Sequence, residues 1–153
     1  MLDVNILVYA HRTDTHGHEA FRTWLEETAA RDAPFAVPDL VMSGFLRVVT
    51  HPRIFDPPTA LEEALEVVEA LRAQPNHVSI APGLRHWDLF TRLCRVANAK
   101  GSLVPDAYLA ALAIESGSEW ITTDRDFARF PDLRWRHPLE PHAFEAHRTS
   151  GGV

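Results

Sequence analysis

The chain holds a single cysteine, Cys94, in 153 residues. It has no intramolecular disulfide partner and builds no Cys-based zinc site, which fits a reducing compartment. No apolar run reaches the roughly 18 residues that a membrane span needs. No signal-peptide pattern opens the chain either, so the expectation is a soluble, cytoplasmic protein with no membrane partner. Internal repeats and Pro/Gly/Ser-rich linkers are missing as well. That points to one domain over residues 1–140 with a real core, followed by a His-, Ser- and Gly-bearing tail, 141–153, expected to be frayed. Basic charge is in short supply: 15 Lys and Arg face 21 Asp and Glu, a net charge of −6. The sum argues weakly against a nucleic-acid partner, but the distribution does not. Arg85, Arg92, Arg95 and Lys100 fall together, as do Arg125, Arg129, Arg134 and Arg136. An acidic chain can still turn a basic face to phosphates, although ordinary solvated helix faces give the same pattern.

What is present is an α/β rhythm. Leu2–Tyr9 has the composition of a buried strand broken by Asp3 and Asn5, two residues apart and so on one face if extended. Amphipathic helices are predicted over 16–30, 38–50, 59–73 and 84–97. In the third of these, Thr59 and Glu62 have capping-box spacing. In the fourth, Trp87, Phe90, Cys94 and Leu93 are expected to face inward; Trp87, Trp120 and Trp135 are all assigned to packing rather than to base stacking. Residues 105–116 form the clearest helix, with Pro105 suited to its first position and Gly117 to its stop. Short strands are predicted over 77–80, 119–122 and 133–137. The order gives a three-layer α/β/α sandwich with a central parallel sheet.

The chemistry lies in carboxylates far apart in sequence, each at a strand end or a helix start: Asp3, Asp106, Asp124 and Asp126. In an open parallel α/β sheet such positions converge on the carboxyl edge. Taken singly each has a structural explanation: a terminal surface acid, a helix-dipole acid, an Asx turn with its N-cap. Together they repel one another, and a hard divalent cation such as Mg²⁺ or Mn²⁺ relieves the repulsion. Metal-assisted phosphodiester cleavage is therefore the leading reading.

The Asp3-x-Asn5 opening, the Asp106-Ala107-x-Leu109-Ala110-Ala111-Leu112-Ala113 helix and the Thr122-x-Asp124-x-Asp126-Phe127 string resemble the PIN domain. More narrowly they resemble the VapC ribonuclease toxins of bacterial type II toxin–antitoxin modules. The segment 43–53, Ser-Gly-Phe-Leu-Arg-Val-Val-Thr-His-Pro-Arg, is similar to a mycobacterial-type branch of those toxins. The resemblance implies an acidic, Mg²⁺- or Mn²⁺-dependent endoribonuclease that cuts structured RNA such as tRNA or rRNA. It also implies a homodimer and a VapB-like antitoxin as inhibitor. By position, Asp3, Asp106 and Asp124 would be metal ligands, Asp126 an outer acid, and Asn5 and Thr122 positioning groups. One departure stands out: the helix-2 Glu common in the family falls on Ser43 or Gly44 here, which puts a second metal, or tight binding of the first, in question. Asp39, a turn earlier on the same face, is the one nearby candidate to replace it.

Competing readings are a PIN-fold module that binds RNA or an antitoxin without cutting, and a phosphatase of another α/β fold. The phosphatase would want an acid where Asn5 stands. His16-x-His18 could imitate a transition-metal pair, and His51 and Arg53 could contact phosphate, but both sites also suit plain surface turns. Val37, Leu40, Val41, Phe45 and Leu46 form either an antitoxin groove or part of the core.

Overall fold

The computed structural model describes residues 1–140, so the tail expected over 141–153 lies outside the described residues. Six helices come first: α1 (Val4–His11), α2 (His18–Ala30), α3 (Asp39–Val49), α4 (Leu61–Arg72), α5 (His86–Val96) and α6 (Leu103–Ser116). Strand β1 (Trp120–Ile121), a 3-10 helix (Arg125–Arg129) and strand β2 (Trp135–Arg136) complete the order.

The sheet is parallel and very short. β1 pairs with β2 in the register Trp120–Trp135 and Ile121–Arg136. Leu2 bridges Ile121 in parallel, and Phe35 bridges His77 in the same sense. The Leu2 N–H donates to the Ala36 carbonyl at 2.9 Å and joins the two halves. The layer therefore runs 77–78, 35–36, 1–3, β1, β2, and its carboxyl edge carries Asp3 and the Thr122–Asp124 segment. Around it α1 packs on α2 and α3, α3 on α4, and α5 on α6.

The largest departure from the sequence expectation is at the start. Only Met1–Asp3 is extended; Val4–His11 is helix, not strand. Asp3 explains the switch. Its backbone is extended (φ −85°, ψ 160°), and its Oδ1 accepts the Val4 N–H as an N-cap. Apolar residues surround α1, with Ile6, Leu7, Val8 and Ala10 all buried. A short run that is apolar on every side carries no period, so it fits a buried strand and a buried helix equally.

Smaller differences have equally local causes. The capping box at Thr59 does not form, because the buried Thr59 hydroxyl oxygen accepts from Arg12 Nη1 at 3.2 Å and meets His11 Nε2 at the same distance. Helix α4 starts at Leu61 instead. In α5 the inward stripe runs through His86 and Leu93, while Trp87 is 66% exposed, so its assignment to the core is corrected. His86 is held by the Tyr108 carbonyl at 3.0 Å, which rotates Trp87 outward. Pro105 is the third residue of α6 rather than the first. The 77–80 strand shrinks to one bridge. The core takes in Phe45, Trp120 and Phe127, and Val37 and Val41 belong to it. No helix among the described residues is long and apolar enough to cross a membrane.

Candidate active site

Thr122 is the centre of the arrangement. It is fully buried at the end of the β1 segment. Its hydroxyl donates to Asp3 Oδ2 at 2.6 Å and accepts from the Asp124 N–H at 2.9 Å and from Asn5 Nδ2 at 3.3 Å. Asn5 also donates to Asp3 Oδ2 at 3.3 Å. Four of the residues singled out in the sequence, Asp3, Asn5, Thr122 and Asp124, thus form one network. Asp3 and Asn5 meet through the first turn of a helix rather than along a strand face.

Asp106, in the first turn of α6, joins them electrostatically. Burial, then the charges of Asp3, Asp124 and Asp126, push its carboxyl up to about 6. Asp3 is also pushed up to about 6, chiefly by burial; the Thr122 hydroxyl and the Val4 N–H oppose this and the Asp124 charge adds to it. Such a cluster is short of positive charge at neutral pH.

Asp126 takes a more outward place. Its N–H donates to Asp124 Oδ1 at 2.8 Å, and its own exposed carboxylate accepts from Arg129 Nε at 3.1 Å. Asp39 is not drawn in: its carboxylate is bound by Arg72 Nη1 at 2.7 Å. Ser43 is exposed, whereas Gly44 faces Val4, the residue after Asp3; a Cβ there would sit 3.5 Å from Val4 Cγ2.

His18 and His11 are structural, while His16 is exposed. His18 is buried with Nδ1 3.0 Å from the Tyr9 carbonyl, and His11 braces Thr59. His51 Nδ1 accepts the Arg53 N–H at 3.1 Å and so closes its own turn. Sequence reasoning missed the surroundings of Trp135. It lines a hollow with Thr123, Arg125, Ala128, His137 and Glu140, next to the Thr122–Asp124 segment. The nearness of Thr123 to the acids was the available signal.

Do these residues suit a hard cation? The donor set is all oxygen, as Mg²⁺ and Mn²⁺ prefer. Asn5 Oδ1 is buried with no hydrogen-bond partner, an orphaned acceptor on a residue of the cluster and suited to a cation-bound water. Among the described residues no three His, Cys, Asp or Glu side chains close tightly enough to cage an ion directly. Magnesium keeps several of its waters, so an open set of carboxylates fits it.

An α/β sandwich with linked carboxylates on its parallel edge is the class that the fold and site define. A family model for the PIN domain matches residues 1–133. Ribonuclease VapC43 of Mycobacterium tuberculosis is 48% identical over 139 residues, covering 91% of this chain and 95% of the relative. Ribonuclease VapC25 of the same organism is 45% identical over 138 residues, covering 90% and 97%. Among solved structures, VapBC-1 from nontypeable Haemophilus influenzae superposes with a TM-score of 0.66 at 16% identity, covering 92% of this chain and 98% of that one. VapBC2 from Rickettsia felis, bound to a DNA fragment from their promoter, gives 0.65 at 18% identity, covering 90% and 96%. The chain belongs to the PIN-domain family, within its VapC ribonuclease group.

Proposed function

We propose that this protein is a divalent-metal-dependent endoribonuclease toxin, held inactive by a VapB-like antitoxin. The observation that carries the proposal is the Thr122 hub, which ties Asp3, Asn5 and Asp124 together while Asp106 shares their field. Structural acids have no reason to gather where they raise one another's pKa. The relatives named as ribonucleases, and the neighbours solved as VapBC, support the same reading.

Asp3, Asp106 and Asp124 would hold Mg²⁺ or Mn²⁺, directly or through water. When bound, the metal supplies charge neutralisation at the scissile phosphate and a water of lowered pKa. The protein's own contribution is positional. Thr122 fixes Asp3 by one donated proton and orients the Asp124 backbone, so that two ligands share one support. Asn5 locks the other side of Asp3 and leaves its Oδ1 free for a bound water. Asp126 is a rim group whose partner Arg129 places a guanidinium beside the acids, where a phosphate would arrive.

The test is incubation of total tRNA and rRNA with purified protein under Mg²⁺, Mn²⁺ or chelator, beside Asp106→Asn. Discrete metal-dependent cuts that the variant loses by at least about a hundredfold are expected, since one charged ligand is removed. Folded, antitoxin-free protein that cuts nothing under either metal would sink the proposal. A PIN-fold binding module, favoured by Ser43 and Gly44 in place of an acid, would then stand.

A further inference from the structure

We propose that the hollow beside the acids is a subsite for one unpaired nucleobase next to the scissile phosphate, and that Glu140 makes it select guanine. This rests on the ribonuclease reading above and deepens it.

The hollow measures about 290 Å³ and is lined by Thr123, Arg125, Ala128, Trp135, His137 and Glu140. That is just below the roughly 300–1,000 Å³ typical of small-molecule clefts, so it suits a single base and not a larger ligand. Its location is set by the chain. Thr123 lies between Thr122, which donates to Asp3, and Asp124, so the hollow shares backbone with the acidic cluster. None of the clustered aspartates lines the hollow, but through this shared segment a nucleotide with its phosphate over the acids would turn its base toward it.

The walls carry the chemistry of base recognition. Trp135, on edge strand β2, packs partly against the core, as the sequence suggested, and also forms a wall of the hollow, where an indole can stack a base. The imidazole of His137 has its proton on a known side, because Nδ1 accepts the Leu139 N–H at 3.1 Å. The neutral ring therefore carries hydrogen on Nε2, a donor. The Glu140 N–H closes the same turn on the His137 carbonyl at 3.4 Å, which fixes the root of the Glu140 side chain.

Across the mouth, Glu140 Oε1 and Arg125 Nη2 lie 3.7 Å apart with side chains 60% and 86% exposed. They attract each other at a distance too long for a hydrogen bond, and neither side chain has another hydrogen-bond partner among the described residues, which leaves donors and acceptors for a ligand. Guanine presents two adjacent N–H groups on its Watson–Crick edge, N1–H and the N2 amino group, which a carboxylate accepts as a pair. Adenine and cytosine put a ring-nitrogen acceptor in that place, and uracil has one N–H flanked by carbonyls. RNA is read on this edge wherever its bases are unpaired. Arg125 is left for the phosphate on the neighbouring nucleotide.

The experiment has two arms. In the first, wild-type and Glu140→Gln proteins cut a randomised single-stranded RNA pool with Mg²⁺, and the new ends are sequenced. Wild type is expected to enrich guanine about tenfold over adenine at one position flanking the cut, and Glu140→Gln to bring this within about twofold, as for loss of one bidentate base contact. In the second arm, which needs no cleavage, fluorescent hexauridine with one internal guanosine or adenosine is titrated by anisotropy into Asp106→Asn and into Asp106→Asn/Glu140→Gln. Guanosine preference in the first and its loss in the second support the subsite even where nothing is cut, so failure of the nuclease reading remains separate. Cleavage without a flanking guanine preference, or a preference that Glu140→Gln and Arg125→Ala leave in place, overturns the subsite. The hollow would then be open to a protein segment instead. Arg125 and Glu140 are both exposed, so neither substitution threatens the fold.

Discussion

Thr122 shows how much one hydroxyl can organise. One proton goes to Asp3 in a buried bond, and two donors from partly buried residues, the Asp124 N–H and Asn5 Nδ2, come in. Thr122→Val keeps the shape and removes the hydroxyl, which leaves the Asp124 N–H without an acceptor and takes from Asp3 Oδ2 its shortest donor, while Asn5 Nδ2 keeps only Asp3. The expected cost is about 1–3 kcal/mol in chemical denaturation, with cleavage reduced by more than about tenfold because Asp3 and Asp124 lose their common support. Thr122→Ser should recover most of both. A Val variant as stable and as active as wild type would show that the hub is incidental. At this scale much was legible: Asp3, Asn5, Thr122 and Asp124 were all singled out from the sequence, and the structure joins them. Their means of contact was not legible, because the switch from strand to helix after Asp3 depends on a cap and on burial. The engagement of Asp39 by Arg72, 33 residues away, has no local signature either.

At the scale of elements, α3 and α6 carry glycines with opposite demands. Gly44 is in the interior of α3, where glycine costs roughly 0.5–1 kcal/mol relative to alanine. A Cβ there meets Val4 at 3.5 Å, an ordinary contact. Gly44→Ala should therefore stabilise the protein by about 0.5–1 kcal/mol, read as a higher melting temperature. Gly117 ends α6 in the left-handed region at φ 67°, with its N–H bonded to the Ala113 and Ile114 carbonyls. Gly117→Ala should cost about 1 kcal/mol although nothing crowds the site. The same sign for both variants would refute the account. The Gly44 environment also bears on the missing acid, because the position has room for a side chain and points at the residue following Asp3. Helices α2 to α6 were legible because their stripes run for three or four turns, whereas α1, apolar on every side, was not. The strands over 119–122 and 133–137 were placed correctly but drawn too long, since two residues are too few to show where alternation ends. Trp87 was misplaced because the stripe of α5 includes a histidine, His86, which pattern alone assigns to solvent.

At the scale of the whole molecule, net charge −6 and a carboxylate edge make stability without metal depend on pH. Asp3 and Asp106 rise from about 3.8 unfolded to about 6 folded. Between those values the native state binds more protons than the unfolded chain, so the contribution to stability is full below pH 4 and is lost as pH rises through 6. Each tenfold difference in proton affinity between the two states is worth about 1.4 kcal/mol. The Asp3 charge is itself one cause of the Asp106 shift, so the contributions do not simply add; Asp106 is half-exposed and solvent screens its share, so the expected loss is on the order of 2–4 kcal/mol, mostly from Asp3. The Met1 amine works in the opposite direction. Burial lowers it from 8.0 to about 6, so its stabilising share returns between pH 6 and 8. Metal-free protein should thus melt lowest near pH 6, higher at 4.5 and somewhat higher at 8. Asp106→Asn removes one of the strained charges and should raise the melting temperature at neutral pH while abolishing cleavage, a trade between stability and activity at one residue. Millimolar Mg²⁺ should lift the wild type by mass action and leave the variant nearly unmoved. A flat metal-free profile, or an equal Mg²⁺ response in both proteins, would show that the acids are not the cation's site. On the proposed reading, the repulsion at this edge is what a bound cation would relieve, and the cluster that weakens the metal-free fold would be what equips it to hold a metal against a phosphate.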